Sequence, residues 1–290
     1  MRSPREVYPH FLFLHVPKTA GSMFRAIVKR NFGPEVGIEN PLMSEQVYTT
    51  AQIDAMFAHY PFRFLMGHVF RLDPSLRACG GKVQLISFVR DPIDKARSAY
   101  YYLAGRELTR SDHPAKQKSF AEMCDLISES NGASSFLLDS SQLTWLVGRE
   151  GAKVEEVERS CASGRLLLFP TEEFDQACVV LERLFPKDFS DCSYGQRSNV
   201  SRRRDGADIQ AERAAAEKLP WISQDRELHA LAKANVARLW SEAFANDEES
   251  DAAVTQFRKR CSERADGRPT SAGVARRKKS FLARLFGGVR

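Results

Sequence analysis

The chain repeats one order. A short apolar run is followed by a break of small or charged residues, and then by a helical pattern. The apolar runs fall at 11–16, 62–69, 82–90 and 164–170. Each has the length of a strand buried on both faces and is too short for a helix. After the first, Phe24, Ile27, Val28 and Phe32 recur at helical spacing, and Gly33-Pro34 ends that helix. After the third, Asp91 and Pro92 open a helix through 103 with Ile93, Ala96, Tyr100 and Leu103 as its apolar stripe. After the fourth, Thr171 is expected to cap a helix over 172–185, with Glu172 and Glu173 placed for its dipole. Thr49 or Thr50 opens a helix to about residue 59. Further helices are expected at 120–127, 207–219 and 224–243, with polar loops at 105–117 and 197–206. This alternation predicts an α/β fold, a mostly parallel sheet flanked by helices on both faces. In such sheets ligands lie beyond the carboxyl ends of the strands.

The charge is unevenly spread. Residues 264–290 hold eight Lys or Arg and one Asp, leaving 35 basic and 36 acidic residues elsewhere. The body is therefore close to neutral, and no nucleic-acid-binding surface is indicated. A hydrophobic content of 43% supplies a sizeable core. The expected organisation is one domain over 1–262 and a basic, disordered or amphipathic tail over 263–290. In that tail Phe281, Leu282, Leu285 and Phe286 fall among Arg and Lys, a composition that suits either a solvated tail or peripheral contact with an anionic membrane surface. The six cysteines are scattered and none sits at CxxC spacing, so reduced thiols are expected rather than a zinc site or a disulfide framework. No run approaches the roughly 18 apolar residues of a membrane span, and the run at 11–16 is too short for a signal-peptide core. The default location is the cytoplasm.

Three sites fall at strand ends: residues 18–22, Gly67-His68 and Arg90. The first, "HVPKTAGS", leaves a strand and enters a helix. A tight loop there exposes unpaired amides to a helix dipole of the right sign for an anion. Gly21 permits close backbone approach, Thr19 and Ser22 offer hydroxyls, and Lys18 offers a charge. The loop lacks the GxxxxGK[ST] pattern, so an ATP or GTP site of that kind is disfavoured. Arg90 ends the third strand. Ser98 lies about two turns into the following helix, off its apolar stripe, and the pair can converge on a second phosphate. Taken singly, each feature also reads as ordinary: a capped turn, an Arg paired with a neighbouring Asp, an exposed Ser.

Together, "HVPKTAGS" and "FVRDPIDKARSAYYYL" resemble the sulfotransferases that use 3′-phosphoadenosine 5′-phosphosulfate (PAPS), in the branch of heparan sulfate 2-O-sulfotransferase and its bacterial relatives. The resemblance covers about 10–205 and implies the P-loop-NTPase-like sulfotransferase fold. It assigns the 5′-phosphosulfate to Lys18, Thr19, Ala20, Gly21 and Ser22, and the 3′-phosphate to Arg90 and Ser98. "MGHV" at 66–69 matches the segment that supplies a catalytic histidine, here His68. The heparan enzyme has a second histidine two positions earlier, where this chain has Met66. "RSNVSRR" resembles a late loop near the nucleotide, with Asn199 and Ser201 as contacts and Arg202, Arg203 and Arg204 as further cations. The implied reaction moves a sulfuryl group from PAPS to a hydroxyl acceptor, a glycan or glycolipid, with no metal. Lys18 would neutralise the leaving oxygen and His68 would take the proton.

Other candidates read first as structural. His15 is expected to be a core histidine bonded to backbone, His113 a solvated loop residue, and residues 100–102 three tyrosines of core and rim, with lining of the acceptor cleft as their alternative. Two alternatives stand beside the transferase: a kinase-like nucleotide enzyme, and a non-catalytic membrane-associated nucleotide-binding protein.

Overall fold

The computed structural model describes residues 10–39, 47–105, 113–129, 141–195 and 206–267. Asn199, Ser201, the three arginines at 202–204 and the tail past 267 lie outside the described residues. The elements are β1 (His10–Leu14), α1 (Gly21–Phe32), β2 (Val36–Glu39), α2 (Thr50–His59), β3 (Phe64–Gly67), β4 (Arg77–Ala78), β5 (Gly81–Val89), α3 (Pro92–Gly105), α4 (Pro114–Gln117), α5 (Phe120–Glu129), α6 (Gln142–Val147), α7 (Val154–Ala162), β6 (Leu166–Pro170), α8 (Phe174–Leu184), α9 (Gly206–Ala216), α10 (Ile222–Ala243) and α11 (Asp247–Ala265). The fold is α/β.

Five strands form a parallel sheet in the order β2-β3-β1-β5-β6, and β4 pairs antiparallel with the first residues of β5. The register decides where the site lies. Leu14 sits between Gly67 of β3 and Ser87 of β5. The central strands therefore finish at one edge, and residues 15–21, His68 and Arg90 leave the sheet there. That edge is the carboxyl end, where a parallel sheet presents ligand sites.

The chain divides into two compact units, 1–21 with 34–172 and 200–236, and 22–33 with 173–199 and 237–290. In the first, Leu12, Leu14, Leu65, Val83, Leu85 and Leu168 form the buried face of the sheet, and Leu143, Leu146 and Leu228 pack on it. Each such side chain contributes about 1.5–3 kcal/mol by leaving water. A separate cluster joins Ala96, Tyr100 and Phe120 to Trp221. In the second unit, Phe189 packs against Phe24 and Phe32, and Tyr194 against Phe174 and Phe257.

Several elements depart from the sequence expectation for physical reasons. β1 stops at Leu14, two residues before the apolar run does. His15 makes one last bond, from its amide to Gly67 O at 3.1 Å, Val16 folds back to Leu14 O, and Pro17 has no amide to continue the ladder. Thr171 does not cap α8. A 3-10 turn over Thr171–Glu173 intervenes and Glu173 holds the cap position. Glu172 does not serve the helix dipole: its Oε1 accepts from the Asp91 amide at 3.0 Å and its Oε2 meets His229 Nε2 at 3.0 Å. His113 caps α4, its Nδ1 accepting from the Ala115 amide, within a stretch expected to be loop. β2, α6, α7 and α11 were not expected at all. As expected, Thr49 caps α2 through a capping box with Gln52, and Asp91 caps α3, its Oδ1 accepting from the amides of Ile93 and Asp94.

Candidate functional site: three strand ends

The loop after β1 is strained. Lys18 (φ 69°) and Ala20 (φ 61°) both adopt the left-handed region without being glycine, at about 1–2 kcal/mol each. Strain of this kind persists where the surroundings enforce it, and it gathers at functional sites. Its consequence is local. The amides of Lys18, Ala20 and Gly21 have no hydrogen-bond partner among the described residues, while positive and negative φ alternate from Lys18 to Gly21. A run of that kind turns successive N–H groups into one concavity suited to an anion. Thr19 is fully buried and its Oγ1 donates to Val16 O at 2.7 Å. That hydroxyl proton braces the loop and is not free for a ligand, contrary to the sequence expectation. Ser22, in the first turn of α1, is exposed.

Lys18 and Arg90 act on one another. The Lys18 ammonium is lowered to about 8, first by burial and then by the charge of Arg90. Neither cation has a carboxylate partner among the described residues. Lys18 Nζ lies instead 4.1 Å from the ring centroid of Tyr102 on α3, a cation–π contact. Ser98 is four residues before Tyr102, so the two share a helix face. The face of α3 that carries Ser98 is thus the one turned to Lys18. Ser98 is half-buried.

Arg90 is fixed through its backbone. Its amide donates to Gln142 Oε1 at 2.9 Å, and Gln142 Nε2 donates to its carbonyl at 2.8 Å. Gln142 is fully buried at the start of α6. That helix start is held by Asp225 of α10, which accepts from the Ser141 hydroxyl and from the amides of Gln142 and Leu143. Burial raises the Asp225 carboxyl, against the charge of Lys95 and those three hydrogen bonds.

His68 follows β3 and is 7% exposed. Its Nδ1 lies 2.8 Å from the His15 carbonyl. A carbonyl only accepts, so Nδ1 carries the proton and Nε2 keeps its lone pair. Burial lowers the His68 pKa, the His15 carbonyl works the other way, and Arg71 lowers it further. The neutral base form is thereby favoured. The Trp145 ring meets His68 edge-on at 6.0 Å. Arg71 lies over Trp145 at 5.0 Å and donates to the carbonyls of His68 and Phe70.

His15 is not the core histidine expected from the sequence. It lies one residue past β1, is half-buried, and stacks on His68 with centroids 3.9 Å apart. A Cβ at Gly21 would come 1.8 Å from His15 Nε2. The side chain that needs this glycine is therefore His15. The sequence reading did not assign His15, Gln142, Tyr102 or Arg71 to the donor site, and of these His15 and Tyr102 lie inside the quoted motifs, where a signal was within reach.

No family model and no curated protein sequence matches the chain. Among the solved structures similar to it are two sulfotransferases. Mouse sulfotransferase SULT7A1, complexed with PAP, is 13% identical with a TM-score of 0.40, covering 82% of this chain and 90% of that one. A sulfotransferase from Alicyclobacillus acidocaldarius is 15% identical with a TM-score of 0.41, covering 79% and 97%. At that distance neither bears on residue roles, which rest on the geometry above.

Proposed function

We propose that this chain transfers a sulfuryl group from PAPS to a hydroxyl acceptor. The observation that carries the reading is the register: β1 and β3 end level, the neighbouring parallel β5 runs two residues further, and the three release the 18–21 loop, His68 and Arg90 at one edge. The residues fit a donor with two anionic groups. Among the described residues, two cations are held near one another without a carboxylate, one of them depressed to about 8, and the amides of Lys18, Ala20 and Gly21 lack partners beside them. The 18–21 loop and Ser22 would take the phosphosulfate, and Arg90 with Ser98 the 3′-phosphate. Asn199 and Ser201 belong to the same proposal through the sequence resemblance.

The acceptor oxygen attacks sulfur, the bond from sulfur to the 5′-phosphate oxygen breaks, and adenosine 3′,5′-bisphosphate leaves. The acceptor proton goes to His68 Nε2, the one lone pair that its tautomer leaves available. Lys18 neutralises charge on the departing oxygen. Such a reaction depends on placement and electrostatics rather than on covalent help from the protein. The acceptor class that the resemblance suggests is a saccharide hydroxyl.

Calorimetric titration with adenosine 3′,5′-bisphosphate tests the donor site. Wild type should bind it, ADP should bind far more weakly, and Arg90→Ala should lose about 10- to 100-fold in affinity. A folded wild type that ignores the bisphosphate, or prefers ADP with magnesium, would refute the reading. Loss of transfer in His68→Ala with binding intact would then locate the base.

A further inference from the structure

His15 lies between the loop and the base. Its ring stacks on His68 at 3.9 Å with 25° between planes. On its other side Nε2 occupies the space that any side chain at residue 21 would need. Its own carbonyl accepts a hydrogen bond from His68 Nδ1–H, and its amide ties β1 to the last residue of β3. One residue thus touches the donor loop with its ring edge, the base with its ring face, and the base again with its backbone. We infer that His15 is a positioning residue of the transfer site: it fixes His68 against the loop at Gly21 and, by its own titration, sets the pH below which His68 ceases to act as a base.

The physical reason is charge. Two imidazoles at stacking distance do not both ionise near neutrality, because the second proton enters beside a cation. His15 is the more accessible ring, half-buried where His68 is buried. A proton on His15 therefore holds His68 neutral to lower pH than an isolated buried histidine would reach. Of the other groups around the pair, Arg71 acts on His68 in the same direction. Trp145 of α6, edge-on to His68, carries no charge.

The catalytic consequence rests on the sulfuryl-transfer reading, but the coupling does not. It is measured first without donor or acceptor, by long-range proton–nitrogen NMR on the full chain labelled with nitrogen-15. In wild type, the His15 and His68 nitrogens should each follow two steps, and His68 should report Nδ1–H. Two independent single-step curves would overturn the inference without any substitution. In His15→Gln, which removes the titrating ring and keeps a side chain of similar length, His68 should follow one step, moved up by about half to one pH unit. An unmoved His68 curve in the folded variant would also overturn it. With PAPS and a working acceptor, the acid limb of kcat/KM should rise by the same amount in His15→Gln, with bisphosphate affinity changed less than threefold. If wild type shows coupled rings yet binds no bisphosphate, the transferase reading fails and the coupled pair stands.

Discussion

Two groups of cations in this chain have similar composition and opposite surroundings. In the second unit, Arg264 donates to Asp191 Oδ2 at 2.6 Å, Arg260 donates to Glu182 Oε2 at 2.5 Å, and Arg30 donates to the carbonyls of Asp191 and Ser193. Burial alone would raise the Asp191 carboxyl, yet the hydrogen bonds from Ser193 and the charges of Arg30 and Arg264 hold it below its ordinary value. In the first unit, Lys18 and Arg90 are brought together with no carboxylate among the described residues, and Lys18 falls to about 8. Arginines matched by carboxylates hold segments of one chain to each other. Cations brought together without them are instead poised for an anion. The difference therefore separates scaffold from site more sharply than the number of positive residues does.

The largest expected effect tests the scaffold half. Asp191→Ala leaves three guanidiniums around a missing anion and should cost about 3–5 kcal/mol, read as a lower denaturant midpoint. Arg90→Ala should stay within about 0.5 kcal/mol of wild type while losing most bisphosphate binding. If Arg90→Ala unfolds the chain, or Asp191→Ala leaves stability unchanged, the two groups are not different in kind.

The pH dependences should also diverge. The Lys18 pKa is depressed in the folded chain, so between about 8 and the ordinary lysine value the unfolded state binds more protons, and this group makes the free protein more stable as pH rises. Bisphosphate binding needs the charged form and should weaken as pH rises through about 8. Opposite slopes in one window, by calorimetry and by denaturant titration, are the expected signature. Glu172 shows the contrasting case. Burial would raise its carboxyl, but the His229 hydrogen bond and the Asp91 amide bring it to about 2. Its contribution is present above the ordinary glutamate value and is lost as pH falls toward 2. Equal slopes for binding and stability above pH 8 would remove Lys18 from the donor site.

A smaller effect should come from Gln142. Gln142→Leu leaves the amide and carbonyl of Arg90 without their partners, at about 1–3 kcal/mol, and should weaken bisphosphate binding several-fold by loosening the turn that aims Arg90. Affinity that stays at the wild-type value in a destabilised variant would make Gln142 purely structural. This residue also marks the limit of what could be read from the sequence. Lys18, His68 and Arg90 were legible because each lies at or just past the end of an apolar run, and a buried strand announces its own end. β2 was not, because "VGIE" is short and Gly37 lies under Phe62 and Leu65, where a Cβ would come 2.5 Å from Leu65. Gln142 was not, because its partners Arg90 and Asp225 are 52 and 83 residues away. His15 was misread for the same reason: only the register of β1 against β3 brings it beside His68.

Thr19 gives the finest test, because the motif and the fold disagree about its hydroxyl. As a motif residue it offers a donor to an anion. In the fold its Oγ1 donates to Val16 O at 2.7 Å and the side chain is fully buried. Thr19→Val keeps the shape and removes the hydroxyl, leaving a buried carbonyl without its partner. The expected cost is about 1–2 kcal/mol of stability, with bisphosphate affinity within threefold of wild type, because the anion is read by amides that the substitution does not touch. Thr19→Ser should restore the stability and leave affinity where it was. A loss of affinity tenfold or more in Thr19→Val with little loss of stability would mean that the hydroxyl turns to the donor on binding. The strained loop would then be a mobile part of the site rather than the rigid cradle that its left-handed residues describe.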